Sequence, residues 1–476
     1  MVPMYIRYMG AEAYGLVGFY AMLQVWFNLL DMGLTPTMAR ETARFHGGTI
    51  DALSYRRLVR AMEGIFITVA LVGGVAMFAA SSHIAHDWLN SSRMPVDELQ
   101  KAIQFISVII AMRWMCGLYR GAISGSERLV WLGSYNAIVA TLRFVGVLPI
   151  LMFVGVTPII FFGYQFIVAV FELTGLSIYA YRILPSIPND RRLPWSWAPL
   201  KPVIKLSLTI AVTSSIWVLV TQTDKLVLSK ILTLEEYGYF TLTVLVASGV
   251  VVISRPISDA IMPRMARLEA KGDHAGLISV YRQATQLVTV IAGAVSVTLA
   301  ICAEPLLWAW TGDRNLAQHA APILRLYAIG NGILAVAAFP YYLQYAKGDL
   351  RLHLIGNVGF VVLLIPTIIW AASQYGGVGA GYVWAGSNLF VFVAWLPFIH
   401  RRFAPGLNLH WYFQDVLVIV AVAVIVGYCS SMFLTHSESR WLQLVEVAGL
   451  GLVVLISAAG ASSAVWQTVR SKNYPI

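Results

Sequence analysis

Charged side chains are scarce. Asp, Glu, Lys and Arg supply 12% of the 476 residues, roughly half of what a soluble chain carries, which excludes an ordinary water-soluble domain. Cysteine is nearly missing: Cys116, Cys302 and Cys429 each lie inside an apolar run, which excludes a disulfide framework. No HExxH, CxxC or GxxxxGK[ST] pattern occurs, so metal and nucleotide chemistry have no sequence basis and no cofactor is expected. Acids are short relative to bases, giving a formal net charge of +10. That excess invites a nucleic-acid partner, but the distribution of the bases argues against one.

Apolar residues fill the space the charges leave. Hydrophobic side chains make up 58% of the chain and the mean hydropathy is +0.72. Runs of membrane-spanning length recur from end to end, at 13–34, 62–85, 102–123, 129–154, 158–181, 205–231, 236–261, 284–307, 321–345, 352–374, 379–399, 412–434 and 442–466. Most are long enough to cross about 30 Å of hydrocarbon as a helix, whereas a β-barrel shows short alternating segments. The expectation is an all-α polytopic membrane protein with thirteen visible transmembrane helices.

Lys and Arg set the orientation. They concentrate in the connections after spans one, three, five, seven, nine and eleven and in the C-terminal tail. The opposite connections hold Arg7, Arg93, Lys101, Lys230, Arg314 and Arg440. The C-terminus of this inner-membrane-type chain is therefore expected in the cytoplasm, and the N-terminus outside, because thirteen is odd.

The chain also repeats itself. Glu12, Tyr14 and Gly15 fall on Glu235, Tyr237 and Gly238 at a constant offset, with Arg7 on Lys230. Pro36-Thr37-Met38-Ala39-Arg40 matches Pro263-Arg264-Met265-Ala266-Arg267, and Tyr55-Arg56 matches Tyr281-Arg282. Duplicated membrane segments build many transporters, with the substrate held between the repeats. Span seven is then the partner of span one, and span six has no partner before Met1. A missing N-terminal helix is inferred, which makes fourteen: two six-helix bundles around a central cavity and a trailing pair. The expected parts are an N-terminal bundle (1–181), a Pro- and Trp-rich cytoplasmic linker (182–204, with Trp195 and Trp197 at headgroup level), a C-terminal bundle (205–400) and two additional helices with a tail (401–476). Residues 36–61 and 263–283 read as matched amphipathic connectors. The glycine run at 376–381 reads as a tight inter-helix turn, not a phosphate loop.

Ionisable residues inside spans are costly and mark pathways. Arg113 and Arg143 lie mid-span, each costing about 2.5–3.5 kcal/mol on insertion scales. Arg120, seven residues after Arg113, shares its helix face. Such arginines require water, an anion or internal pairing, for which Glu172 in span five is the available acid. Arg255 and Asp259 near a span end also fit snorkelling, Asp31 fits a turn at a helix end, and Asp224-Lys225 fits a local pair. A cavity with excess positive charge favours an anion, and a phosphate cannot cross hydrocarbon unaided.

Residues 5–41, YIRYMGAEAYGLVGFYAMLQVWFNLLDMGLTPTMARE, with TQTDKLVLSKILTLEEYGYFTL at 221–242, resemble polysaccharide-biosynthesis flippases of the Wzx type, in the multidrug/oligosaccharidyl-lipid/polysaccharide exporter superfamily. The resemblance implies a fourteen-helix fold and a cargo of undecaprenyl-diphosphate-linked oligosaccharide, such as an O-antigen repeat unit, moved from the cytoplasmic to the periplasmic leaflet by alternating access. It implies a cationic lumen, for which Arg113, Arg120, Arg143 and Arg255 are the candidates. It also implies coupling to H+ or Na+, for which Glu172, Asp224 and Asp31 are the candidates, and contact with membrane lipids and other polysaccharide assembly proteins. Rival readings are a multidrug or cation antiporter, a lipid II flippase, and a membrane polysaccharide polymerase. The antiporter is opposed by the arginine excess. The polymerase is opposed by the outer connections, where Asp87, Asp97 and Glu98 form no recognisable acid–base arrangement. The expectation is a transporter, not an enzyme.

Overall fold

The computed structural model describes residues 2–186, 197, 199–435 and 438–466. Among these the chain is all helix, apart from an isolated bridge between Asn90 and Thr233. The helices are α1 (Val2–Asn28), α2 (Leu34–His46), α3 (Ala52–Ala79), α4 (Val96–Gly125), α5 (Leu129–Phe153), α6 (Pro158–Ile183), α7 (Lys201–Ile231), α8 (Leu234–Ala270), α9 (His274–Ile301), α10 (Ala303–Thr311), α11 (Arg314–Ala346), α12 (Arg351–Phe403), α13 (Asn408–Ser431) and α14 (Arg440–Ala461). Among the described residues eleven stretches are long and apolar enough to cross a membrane, so this is a multi-pass membrane protein. The longest, α12, runs 53 residues. It takes in both 352–374 and 379–399, because Gly376 breaks it with φ 56° and ψ −138°. Only glycine adopts that conformation readily, and the expected inter-helix turn is found there. Residues 187–196 and 198 of the 182–204 linker, Trp195 included, lie outside the described residues, while Trp197 is exposed.

Local chemistry sets the helix ends. Asp51 starts α3 by accepting from the Ser54 amide at 2.9 Å, and Asp273 and Asp313 do the same for α9 and α11. At the start of α8, Thr233 and Glu236 cap each other reciprocally: Glu236 accepts from the Thr233 amide at 3.1 Å, and the Glu236 amide donates to Thr233 Oγ1 at 3.2 Å. This is a capping box.

The chain divides into two compact units, Met1–Gly238 and Tyr239–Ile476. Helix α7 falls in the first unit. Its last turns explain this: Trp88 Nε1 donates to Ser229 Oγ at 3.0 Å and Asn90 Nδ2 to the Lys230 carbonyl at 2.9 Å. In the first unit α4 is the hub, packed by α2, α3 and α6. Gly117, Gly121 and Gly125 form one face of α4, and α2 lies directly on it. A Cβ on Gly121 would sit 2.6 Å from the Thr35 carbonyl oxygen, and one on Gly125 2.2 Å from that of Ala39. Small residues at i and i+4 permit this close approach.

The duplicated Tyr-Gly also has a packing role. A Cβ on Gly15 would fall 1.9 Å from the Leu234 carbonyl oxygen, and one on Gly238 2.5 Å from that of Ala11. Each glycine lets α1 and the first turn of α8 meet backbone to backbone. Glu12 holds the adjoining loop, accepting from Ser91 Oγ at 2.8 Å and the Ser92 amide at 2.7 Å.

In the second unit an aromatic core gathers Tyr281, Phe339, Phe392 and Trp411. The hydroxyl of Tyr281 lies 2.7 Å from His400 Nε2. The trailing pair, α13 and α14, packs on α9 through Val290, Ala294, Ile419, Val447 and Val454. Arg282 donates twice to the fully buried Asp415, at 2.7 and 3.0 Å, and Gln286 donates to the same carboxylate at 2.6 Å.

Candidate functional site

The mid-membrane arginines of the first unit converge on a few polar side chains from α1 and α6. Arg113 is buried on α4, with its side chain 3% exposed. Its Nε lies 3.5 Å from Glu172 Oε2, its Nη2 donates to Gln165 Oε1 at 3.4 Å, and its Nη1 donates to the Tyr20 hydroxyl. Arg120, with its side chain 39% exposed, donates to the other oxygen of Glu172. Arg143 on α5 donates to Gln24 Oε1 at 3.1 Å and to the Tyr20 hydroxyl at 3.3 Å. The Tyr20 ring faces both guanidinium groups, 5.7 Å from that of Arg113 and 5.8 Å from that of Arg143.

The register explains the convergence. Arg113 meets Gln165 and Arg120 meets Glu172, both at a separation of 52 residues. A constant separation means that α4 and α6 run parallel, as two helices must when one further helix, α5, returns between them. The arginines repeat at i, i+7 on one face, and Gln165 and Glu172 repeat at i, i+7 on the facing one.

Charge does not balance here. The cluster holds three arginines and one carboxylate, which Arg113 and Arg120 share, leaving an excess of two positive charges. Among the described residues Arg143 has no acid partner and is held by an amide and a phenol. The Nε groups of Arg113 and Arg120 and Glu172 Oε2 are buried without a hydrogen-bond partner. A buried pair of this kind costs desolvation that its Coulomb attraction recovers only with good geometry and filled hydrogen bonds. Donors left over beside excess positive charge suit an anion with several acceptor oxygens.

The other candidates lie elsewhere. Asp31 accepts from the amide of Thr35 at 3.2 Å and from its hydroxyl at 2.6 Å, fixing the turn into α2. Asp224 is buried on α7, accepting from the Lys225 amide at 2.8 Å with Lys225 Nζ at 3.4 Å. Arg255 belongs to the second unit, where it forms an exposed pair with Asp259 one turn on, at 3.8 Å. The structure thus brings Arg113, Arg120, Arg143 and Glu172 together, while Asp31 contacts Thr35, Asp224 contacts Lys225 among others, and Arg255 contacts Asp259.

Sequence reasoning missed Tyr20, Gln24 and Gln165, which complete the cluster. The usable signal was the i, i+4 spacing of Tyr20 and Gln24 within an apolar span, and the i, i+7 spacing of Gln165 and Glu172. Glu63 was missed too. It is buried at 5% exposure on α3 and accepts from the hydroxyls of Tyr119, at 3.4 Å, and Tyr181. Its place beside the polar end of a span gives no hint that two tyrosines from α4 and α6 close over it.

A family model described as "Polysaccharide biosynthesis protein" matches residues 133–317. Among solved structures the chain is similar to the lipid II flippase MurJ in an inward closed conformation. The match has a TM-score of 0.72 at 12% identity, over 99% of this chain and 97% of that one. It is also similar to a MOP superfamily transporter from Pyrococcus furiosus, described as having a binding pocket of reverse polarity. There the TM-score is 0.51 at 12% identity, over 84% of this chain and 94% of that one. No curated protein sequence matches. At such identities the likeness concerns the fold, and the chain has a MurJ-like helical fold.

Proposed function

We propose that this protein is a transporter that turns over a lipid-linked saccharide carrying a diphosphate, an undecaprenyl-diphosphate oligosaccharide, from the cytoplasmic to the outer leaflet of a bacterial inner membrane. The observation that carries this reading is the unbalanced cluster of Arg113, Arg120 and Arg143 around Glu172. A diphosphate brings two or more negative charges and several acceptor oxygens, which match the excess charge and the unused guanidinium donors. Desolvating such a head group in hydrocarbon alone costs tens of kcal/mol by the idealised Born estimate, and arginines already held within the bundle offset that cost. The family model over residues 133–317 supports a role in polysaccharide biosynthesis, and the MurJ-like fold supports a flippase.

The cluster would meet the cargo from one side of the bilayer and then the other. Of the coupling candidates, Glu172 carries the reading furthest. Uptake of H+ or Na+ there would release Arg113 and Arg120 to the anion, so ion and cargo would bind together, the ion at the carboxylate and the anion at the arginines. Asp31 and Asp224 remain the secondary coupling candidates, and Arg255 is a candidate cargo contact within the second unit. The functional partition into 1–181, 182–204, 205–400 and 401–476 belongs to the same proposal.

The test is a deletion strain scored for intracellular build-up of lipid-linked repeat units and complemented with wild type or with Arg113→Ala/Arg143→Ala. The wild type is expected to clear the intermediate, and the double variant, present at normal level in the membrane, is expected not to. Altered drug tolerance with normal polysaccharide would instead support a cation antiporter. Rescue of peptidoglycan synthesis alone would assign the diphosphate to lipid II.

A further inference from the structure

A second basic site lies in the Tyr239–Ile476 unit. Three connections converge on a cleft of about 580 Å³ lined by His274, Leu277, Lys347, Phe403, Leu407 and His410, among others. Its volume falls within the range of small-ligand sites. His274 opens α9, Lys347 follows α11, and the rest is the turn between α12 and α13. Gly406 makes that turn with φ +83°, and burial of Phe403 and Ala404 anchors it.

The lining pairs Lys347 and two imidazoles with an apolar floor. Leu277 is fully buried and Phe403 is 6% exposed. The acids in the same connections are already engaged: Asp349 pairs with Arg402 at 2.6 Å and Glu269 with His274 at 3.3 Å. Lys347 therefore has no carboxylate partner among the described residues. His410 and the Nε2 of His274, whose Nδ1 faces Glu269, add polar contacts, and among the described residues no carboxylate lines the cleft.

Depth in the membrane selects the ligand. The three connections sit at the ends of membrane-spanning helices α9, α11, α12 and α13, and they follow spans seven, nine and eleven, the basic side on the Lys and Arg distribution. An unpaired lysine above an apolar floor, at headgroup level on the basic side, is the arrangement that holds an anionic lipid headgroup. Free phosphate would gain nothing from Leu277, Phe403 and Leu407.

We infer that the cleft formed by His274, Lys347, Phe403 and His410 binds the phosphodiester headgroup of an anionic membrane phospholipid, with the glycerol and first methylenes on the apolar floor. This site is separate from the arginine cluster and does not depend on the transport reading.

Binding is measured by calorimetry on the full chain in neutral detergent, with short-chain phosphatidylglycerol, phosphatidylcholine of the same chain length, and inorganic phosphate. Phosphatidylglycerol is expected to bind most tightly. Lys347→Glu should weaken it by about fivefold or more while leaving phosphatidylcholine unchanged, and His410→Ala should weaken it less. Circular dichroism checks that both variants remain folded, and their partly or fully solvent-exposed positions make them tolerable. Equal affinity of Lys347→Glu and wild type for phosphatidylglycerol, or equal binding of the two lipids, overturns the proposal. Inorganic phosphate binding as tightly as phosphatidylglycerol also overturns it, and assigns the cleft to a soluble anion.

Discussion

Replacing Glu172 with glutamine tests the charge arithmetic of the cluster. The side chain keeps its volume and loses its charge, so Arg113 stays at 3% exposure without a counter-ion. Removing one partner of a buried pair costs about 3–5 kcal/mol. Arg113 keeps the Tyr20 and Gln165 contacts, which places the expected loss near the lower end, about 3 kcal/mol. Arg120, at 39% exposure, reaches water and should add no more than about 1 kcal/mol. Reversible unfolding in mixed micelles, with Arg113→Met and Arg120→Met as partners in double-mutant cycles, separates the two. The Arg113–Glu172 coupling should exceed about 2 kcal/mol, and the Arg120–Glu172 coupling should stay below about 1 kcal/mol. The double variant Arg113→Met/Glu172→Leu should be nearly as stable as wild type, because apolar replacement of a whole buried pair is often neutral. A coupling below about 1 kcal/mol for Arg113–Glu172, or a double variant as unstable as Glu172→Gln, would refute the idea that this carboxylate holds the deep arginine.

Other outcomes follow from the same contacts. Gly121→Ala should lower stability by about 1–3 kcal/mol through overpacking, seen as a lower unfolding midpoint, because the new methyl meets the Thr35 carbonyl oxygen at 2.6 Å. Glu63→Gln should be mild in the same assay, since an acceptor remains for Tyr119 and Tyr181. Glu63→Leu should cost about 1–3 kcal/mol, because the buried Tyr119 hydroxyl is left without its partner. Asp415→Ala should destabilise the second unit by about 3–5 kcal/mol, because Arg282 and Gln286 lose a shared acceptor, and proteolysis of the trailing pair should report it. Asp51, outside the spans, has its carboxyl held below the usual range by hydrogen bonds from Ser54. Its folded value is depressed, so its capping contribution is present above the ordinary aspartate range near ~3.9 and is lost as pH falls through the lower folded value. Asp51→Ala should abolish that acid-side change in helix content at the start of α3.

Much of this protein follows from spacing along the chain. Apolar runs longer than a bilayer is thick leave no fold but helices, because backbone amides in hydrocarbon must bond within their own segment. The i, i+7 spacing of Arg113 and Arg120 put both on one face, and both reach Glu172. The breaks at Asp31 and Gly376 were also readable, since a capping acid and a glycine without a Cβ act on their immediate neighbours. What joins distant segments was not readable. Tyr20 meets Arg143 across 123 residues and Glu63 meets Tyr181 across 118. Neither pairing leaves a mark on local sequence, because a phenol in an apolar span looks the same whether it faces lipid or a guanidinium. The duplicated Tyr-Gly announced a repeat, but its reason, backbone contact between α1 and the first turn of α8, depends on how helices cross. The chain sets which residues must be buried and at what depth. Only packing in three dimensions decides which buried charges share a partner, since a desolvated ion is governed by neighbours within a few ångströms, whatever their distance in sequence.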